Sequence, residues 1–377
     1  MHESLNNILN NLHRWLKLYR YNALPKKKKL ITFYSEGEHY WLCYKGIIDE
    51  LIKLNYSIYY VSSKKDDPGL YYSKKIKSLL IDEKYQRYIF FKSLNTYILI
   101  TTTPELGTIP DFPKSINTNH YIYTQHALMS THYAYKKNAF DNYDIIFCSG
   151  QYMIDEIRKT ENIYQLSHKK LVKHGYSRLD YLLRNIKKDN NIDKKDTIIF
   201  APGWGGSHSL IENGEAIRYI DSALNQGYKI ILRPHPESFK RSPDEIRDIV
   251  SKYNNNSNFS LQNDVSDFDV LTQSFALITD WSGIAFEYAF TTRNIVLFIN
   301  TPQKKVNTDY KSINTIPFEE SIRKDIGYIW DGQKNIGSYS KKNDLDKILN
   351  KYIFNVLSSD VIASNYIDEL IKSYEEV

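Results

Sequence analysis

Two successive sets of alternating strand and helix patterns predict an α/β protein with two Rossmann-like, doubly wound domains. Short runs rich in β-branched and aliphatic residues carry the first part of that reading: 30–34, 57–61, 97–101, 121–124 and 144–148, then 197–201, 228–232, 276–278 and 295–298. Runs of this length and composition suit parallel strands buried on both faces. Glycine-, proline- and serine-containing loops follow many of them and lead into helical patterns, the order of a βαβ unit. The length, 377 residues, exceeds what a single core ordinarily serves, so two domains are expected.

Composition narrows the functional class. A hydrophobic fraction of 42% with 25% charged residues is that of a soluble globular chain. The net charge of +6 suits an anionic substrate or an anionic membrane face and is too small to argue for nucleic acid. Cys43 and Cys148 lie in different segments without metal-ligand spacing, and Cys148 sits inside an apolar run, so a reducing cytosol is the expected compartment and no metal is expected. No apolar stretch approaches the ~20 residues that span a bilayer, and residues 1–20 lack a signal-peptide core. The 32 tyrosines, beside many Lys, Asn and Ile, reflect coding bias rather than function.

Residues 1–29 form the first segment. Leu5, Ile8, Leu9, Leu12, Trp15, Leu16 and Tyr19 share one helical stripe, with His13, Lys17, Arg20 and the lysines 26–29 beside or after it. Such a helix either lies on an anionic membrane surface or packs on the domain behind it. A first domain is read at 30–185. Its opening strand breaks at Ser35-Glu36-Gly37 without a G-x-G-x-x-G signature, which removes the argument for NAD or FAD. The run 88–91 reads as a further strand, and Gln125-His126-Ala127-Leu128 ends another. The polar run 187–195 reads as an exposed connection. A second domain is read at 196–340, and helices at 341–377 close the chain, with a return over the first domain as one course open to them.

Chemistry concentrates where strands of the second half end. Arg233-Pro234-His235-Pro236 follows the strand at 228–232, and the prolines fix the backbone that aims Arg233 and His235. Gly203 and Gly205, in the loop 203–207, allow backbone amides to approach a phosphate. Ser282 and Gly283 at a helix start offer free N–H groups and the positive end of the dipole. In a parallel sheet these loops gather on one edge, where ligands of open α/β sheets bind. Each residue also has a plainer reading: a solvated turn for Arg233 and His235, a helix cap for Asp280, a partly buried acid for Glu287 rather than a ribose ligand. His126, at a strand end of the first half, can act as a base toward an acceptor hydroxyl. A lone histidine is more often structural, and His132, His174 and His208 are weaker candidates.

In order, F-Y-S-E-G at 33–37, His126, H-G-Y-S-R-L-D at 174–180, A-P-G-W at 201–204, R-P-H-P at 233–236 and T-D-W-S-G-I-A-F-E at 279–287 resemble the CDP-glycerol glycerophosphotransferases. These are the teichoic-acid primases and polymerases with related capsule polymerases, and the resemblance spans about residues 30–300. It implies a GT-B fold, two Rossmann-like domains facing a central cleft. It also implies a CDP-glycerol donor, CMP as leaving group, a lipid-linked or oligosaccharide acceptor, and work at the cytoplasmic face of the membrane without cofactor or metal. By position it implies catalysis by His126 and His235, and a diphosphate segment at Asp280, Trp281, Ser282 and Gly283. T-Q-H-A at 124–127 stands where the family has W-H-G-T, and Gly283 stands where it has serine.

The expected function is therefore transfer of glycerol phosphate to a hydroxyl during assembly of a cell-surface polymer, with Gly203, Gly205, Arg233, Asp280, Ser282, Gly283 and Glu287 on the donor. A nucleotide-sugar glycosyltransferase of the same fold, and a non-catalytic nucleotide-binding subunit of a capsule assembly complex, are the alternatives.

Overall fold

The computed structural model describes residues 2–185, 196–264 and 266–376. The connection expected at 187–195 lies outside the described residues. The chain divides into two compact units, one of Met1–His126, Tyr135–Tyr181 and Ile353–Val377, the other of Ala127–Ala134 and Leu182–Tyr352.

The first unit is built on seven strands: β1 (Ile31–Ser35), β2 (Ile58–Ser62), β3 (Ile76–Leu80), β4 (Ile98–Thr101), β5 (His120–Thr124), β6 (Ile145–Cys148) and β7 (Lys170–Lys173). They pair in the order β3-β2-β1-β4-β5-β6-β7. Every pair is parallel, with Ile31 registered against Ile58 on one side and Ile98 on the other. Every residue of β1, β2 and β4 is buried, which is why these strands read as unbroken apolar runs rather than alternating ones. Helices Trp41–Lys53 and Ser359–Glu375 cover this sheet, with Ile47, Leu51, Ala363, Ile367 and Ile371 in its core. Burying each such isoleucine or leucine contributes about 1.5–3 kcal/mol.

Two readings of the first half are corrected. Residues 88–91 are not a strand but part of the helix Tyr85–Ser93. A four-residue apolar run does not separate the two periods. Tertiary contacts decide it, because Phe90 and Phe91 are both fully buried, edge-on to each other and packed against Tyr34. The strands missed in this half are the two edges, β3 and β7, whose Lys77, Lys170 and Lys173 are exposed and whose apolar signal is correspondingly thin.

The helix His2–Ala23 divides the stripe expected of it. Leu18 and Tyr21 are buried in the first unit, Trp15 packs at 5.8 Å on Tyr85, and the Tyr21 hydroxyl bonds Thr32. Leu9, Leu12, Leu16 and Tyr19 are 46–71% exposed on another arc.

The second unit has six strands: β8 (Thr197–Phe200), β9 (Lys229–Leu232), β10 (Phe259–Leu261), β11 (Ala276–Thr279), β12 (Ile295–Phe298) and β13 (Tyr328–Ile329). Their order is β10-β9-β8-β11-β12-β13, again all parallel. Ile198, Phe200, Ile230, Leu232, Ile278 and Leu297 form its core with Ala216, Ile220 and Ala223 of the helix Ala216–Asn225. The helix Ile284–Thr292 is buried from Ala285 to Thr291, so it is apolar nearly all round and shows no amphipathic signature.

Candidate active site

In the second sheet the strand order reverses between β8 and β11. A reversal of this kind opens a crevice outside the carboxyl ends of the two strands, where open α/β sheets take their ligands. The loops 201–207 and 280–283 leave the sheet here. Asp280 joins them: its Oδ1 accepts from the Gly203 amide at 2.7 Å and its Oδ2 from the Leu210 amide at 3.4 Å. The carboxyl is 1% exposed, and burial pushes its pKa up to about 6 against the opposing pull of those amides. The cap role expected of Asp280 is thus corrected. The residue at the N-cap of Ile284–Thr292 is Gly283, no side chain caps the helix, and Asp280 braces the Gly203 loop. A Cβ on Gly203 would stand 3.0 Å from Asp280 Oδ1 and 3.8 Å from Ser282 Cβ, so only glycine sits there comfortably.

Beyond Gly203 the chain takes left-handed backbone at Gly205 (φ +120°) and Gly206 (φ +64°). Conformations of this type turn successive amides toward one point. Glu212 lies there, accepting from Gly205 N at 3.0 Å and from Gly206 N. The Trp204 ring lies 5.9 Å from the His235 ring, with the Lys304 ammonium 2.9 Å from its centroid and the Arg241 guanidinium at 4.9 Å. Desolvation lowers the Lys304 pKa to about 8.

His235 precedes the helix Pro236–Arg241 and caps it: its Nδ1 accepts from Glu237 N at 3.1 Å. That bond places the proton of the neutral ring on Nε2. Arg233, expected on donor phosphates, is 5% exposed and donates from Nη1 to Gln262 Oε1 at 2.6 Å and to the Asp267 carbonyl at 2.8 Å, with Phe268 beneath its guanidinium at 5.1 Å. Its Nη1 therefore secures the segment after β10. Glu287 is 4% exposed in the first turn of Ile284–Thr292. Ser282 and Gly283 stand at the start of that helix as expected, with Trp281 turned away to the Thr301 carbonyl at 2.9 Å.

In the first unit the corresponding reversal falls between β1 and β4. His126, just after β5, donates from Nδ1 to the Thr102 carbonyl at 3.1 Å, which leaves Nε2 as the unprotonated nitrogen. Tyr40 and Tyr135 meet its ring edge-on at 5.5 and 6.0 Å. Desolvation, and then the Arg178 charge, push its pKa down to about 4. Nearby polar groups at the β1–β4 edge are tied together: Arg87 pairs with Glu36 and Asp111, and Thr103 Oγ1 donates to Glu36 at 3.0 Å. The weaker histidines are built into the fold. His132 Nε2 donates to the Thr315 carbonyl at 3.0 Å, His174 is 1% exposed beside Ser177, and His208 Nδ1 meets the Pro302 carbonyl at 2.8 Å.

The second unit thus brings Gly203, Asp280 and Ser282 together, with His235 against Trp204 next to them, and turns Arg233 elsewhere. Sequence reasoning missed Glu212, Lys304 and Arg323. Arg323 is 5% exposed and stacks at 3.8 Å on Trp281. Lys304 follows β12 at the same carboxyl edge, a usable signal, but one lysine among 50 lysines and arginines does not stand out. His126 belongs to the first unit, as do Tyr40, Thr102, Tyr135 and Arg178, whereas Ala127–Ala134 belongs to the second.

Residues 18–314 match the family model of the CDP-glycerol:poly(glycerophosphate) glycerophosphotransferases. Among solved structures, the chain is similar to the wall teichoic acid polymerase TagF, with a TM-score of 0.58 at 16% identity over 100% of this chain and 99% of that one. It is also similar to the UDP-GlcNAc 2-epimerase of Methanocaldococcus jannaschii, with TM-score 0.54, 10% identity and coverage of 91% and 99%. A third likeness is to a putative UDP-N-acetylglucosamine 2-epimerase from Listeria monocytogenes, with TM-score 0.55, 12% identity and coverage of 93% and 98%. These likenesses establish a GT-B type of fold. No curated protein matches the chain.

Proposed function

This chain belongs to the CDP-glycerol:poly(glycerophosphate) glycerophosphotransferase family, and we propose that it transfers glycerol phosphate from CDP-glycerol to a hydroxyl of a lipid-linked or polysaccharide acceptor during teichoic-acid or capsule assembly. The observation that carries the proposal is the family match across 18–314, which takes in every motif residue named above. The oxygen of the acceptor attacks the phosphorus that bears glycerol, the bond from that phosphorus to the bridging oxygen breaks, and CMP leaves with the electron pair. The hydroxyl proton passes to Nε2 of His126. A base whose pKa is about 4 is weak, but a loose phosphoryl transition state asks for little proton abstraction until late. His235, with Nδ1 engaged by Glu237 N, offers Nε2–H to the departing phosphate. It acts as a hydrogen-bond donor and need not surrender its proton, since a phosphate monoester with a second pKa of about 6 departs as the dianion. Fixed amides and charges supply the remaining stabilisation, and no cofactor enters the scheme.

The same reading places the enzyme peripherally on the inner face of the membrane. Among the described residues no helix is long and apolar enough to cross a bilayer. Leu9, Leu12, Leu16 and Tyr19 are exposed on His2–Ala23 next to an arc of His13, Lys17 and Arg20, an apolar face with a basic flank suited to anionic lipid. Flotation with phosphatidylglycerol vesicles is expected for the wild type and lost when Leu9, Leu12 and Leu16 become serine; unchanged flotation would remove this contact.

The deciding experiment is CMP release from CDP-glycerol, with CDP-ribitol and nucleotide sugars in parallel, on lipid-linked and oligosaccharide acceptors. His126→Ala and His235→Ala are each expected to lower kcat by about 10²–10⁴-fold. Full activity in His235→Ala would end the mechanism. A glycoside product from a nucleotide sugar would move the function to a glycosyltransferase.

A further inference from the structure

Lys304 stands outside every motif that carries the family resemblance, yet it reaches the Gly203–Ser207 segment from the far side of the crevice. Its Cε and Nζ would stand 3.1 and 3.2 Å from a Cβ placed on Gly205, where φ +120° favours glycine and the lysine lies close beside it. The ammonium sits over the Trp204 ring, partly buried, and no oxygen among the described residues accepts a hydrogen bond from it. A desolvated cation held on an aromatic face, with its three donors unused, is poised for an anion that arrives from outside. Next to it, the amides of Gly205 and Gly206 converge on one acceptor, and that acceptor is the carboxylate of Glu212. Convergent amides of this kind bind phosphate oxygens as readily as carboxylate oxygens. Glu212 also acts on Lys304 through its charge.

We propose that Lys304 is the cation that binds the diphosphate of the nucleotide donor, and that Glu212 fills the Gly205–Gly206 amide pair until a phosphate oxygen displaces it. The inference rests on the glycerophosphotransferase reading for the nucleotide donor, while the two amides and the cation themselves select for phosphate oxygens. The two residues act with opposite sign. Lys304 adds attraction that appears only with the anion present. Glu212 supplies an internal competitor for the amides, although its charge also helps keep Lys304 protonated.

Calorimetric titration of the full chain with CDP, and with cytidine as the uncharged comparison, tests this alongside the CMP-release assay. Lys304→Met is expected to weaken CDP about tenfold or more, the size of a lost charge-assisted hydrogen bond, and to leave cytidine unchanged. Lys304→Arg should retain part of the CDP affinity, which separates loss of charge from loss of fold. Glu212→Gln is expected to tighten CDP and lower KM for CDP-glycerol severalfold. Equal CDP affinity in Lys304→Met and wild type overturns the role of the lysine. Weaker CDP binding in Glu212→Gln overturns the displacement and makes Glu212 a brace for the loop. If the variants behave as expected while wild type releases no CMP from CDP-glycerol, the diphosphate site stands and the donor is a different one.

Discussion

The carboxyl edges of the two sheets have the same topology around their reversal points and use their polar groups in opposite ways. At the β1–β4 edge the charges are mutually satisfied, Arg87 holding Glu36 and Asp111 while Thr103 also donates to Glu36. At the β8–β11 edge one carboxylate braces a glycine loop, the Lys304 ammonium rests on the Trp204 ring, and no side chain caps the helix start at Gly283. A shared scaffold therefore says little about chemistry, which is set by a few side chains on the connecting loops. The first edge is cross-linked by these contacts and offers one unprotonated imidazole nitrogen on His126. The second is electropositive and suits a phosphate.

The largest stability effect that would break this comparison comes from the brace. Asp280→Ala leaves the Gly203 and Leu210 amides without their acceptor and is expected to cost about 2–4 kcal/mol, with CDP binding lost alongside. Urea unfolding followed by the fluorescence of Trp204, Trp281 and Trp330 measures it, and a loss below about 0.5 kcal/mol would deny Asp280 this role.

A smaller effect sharpens the contrast through pH. Burial lowers the pKa of His174 in the first unit to about 3, from 6.5. The unfolded chain therefore takes up the proton first, and this residue withdraws stability as pH falls from 6.5 toward 3. Asp280 moves the other way, from 3.8 to about 6, so the folded chain binds its proton first and stability rises as pH falls from 6 toward 3.8. His174→Gln should flatten the acid-side loss, and Asp280→Asn should remove the opposing gain. Unfolding free energies at stepped pH read both slopes, and parallel curves for wild type and variant would contradict the assignments.

The smallest effect belongs to Gly283. Its φ of −63° suits any residue, and an added Cβ would meet Ala127 Cβ at 3.6 Å and Met129 Sδ at 3.7 Å, ordinary contacts. Gly283→Ser, which restores the residue the family resemblance leads one to expect, should change stability by less than about 0.5 kcal/mol and leave CDP affinity equal or tighter. Calorimetry and thermal unfolding check it together.

Much of the second sheet was legible because β8, β9, β11 and β12 are short and largely apolar, whereas β10 and β13, two or three residues long, carry too little signal. The β8, β9, β11 and β12 runs each fall within a residue or so of their expected places. The helix at 85–93 was not legible, since Tyr88-Ile89-Phe90-Phe91 has no period of its own and takes its conformation from the aromatic cluster around Tyr34. In the site, order along the chain placed Gly203, His235 and Ser282 at one edge, because a parallel sheet sends all its carboxyl ends the same way. Side-chain direction was beyond it. Arg233 and His235 are two residues apart, yet the guanidinium turns to Gln262 while the imidazole packs on Trp204. Nor does spacing reveal that Asp280 reaches 77 residues back to the Gly203 amide.

The return of the chain to its first unit governs the order in which the protein can be made. Ile353–Val377 belongs to the unit that begins at residue 1, and its helix supplies Ala363, Ile367 and Ile371 to that core, a Tyr374 ring stacked on Tyr97 and an Asp368 carboxylate for Tyr56. A ribosome delivers these only after nearly all of the second unit has emerged as one continuous stretch. The nested unit is thus free to fold during synthesis, while the first unit keeps an open apolar face until Ser359–Glu375 has emerged.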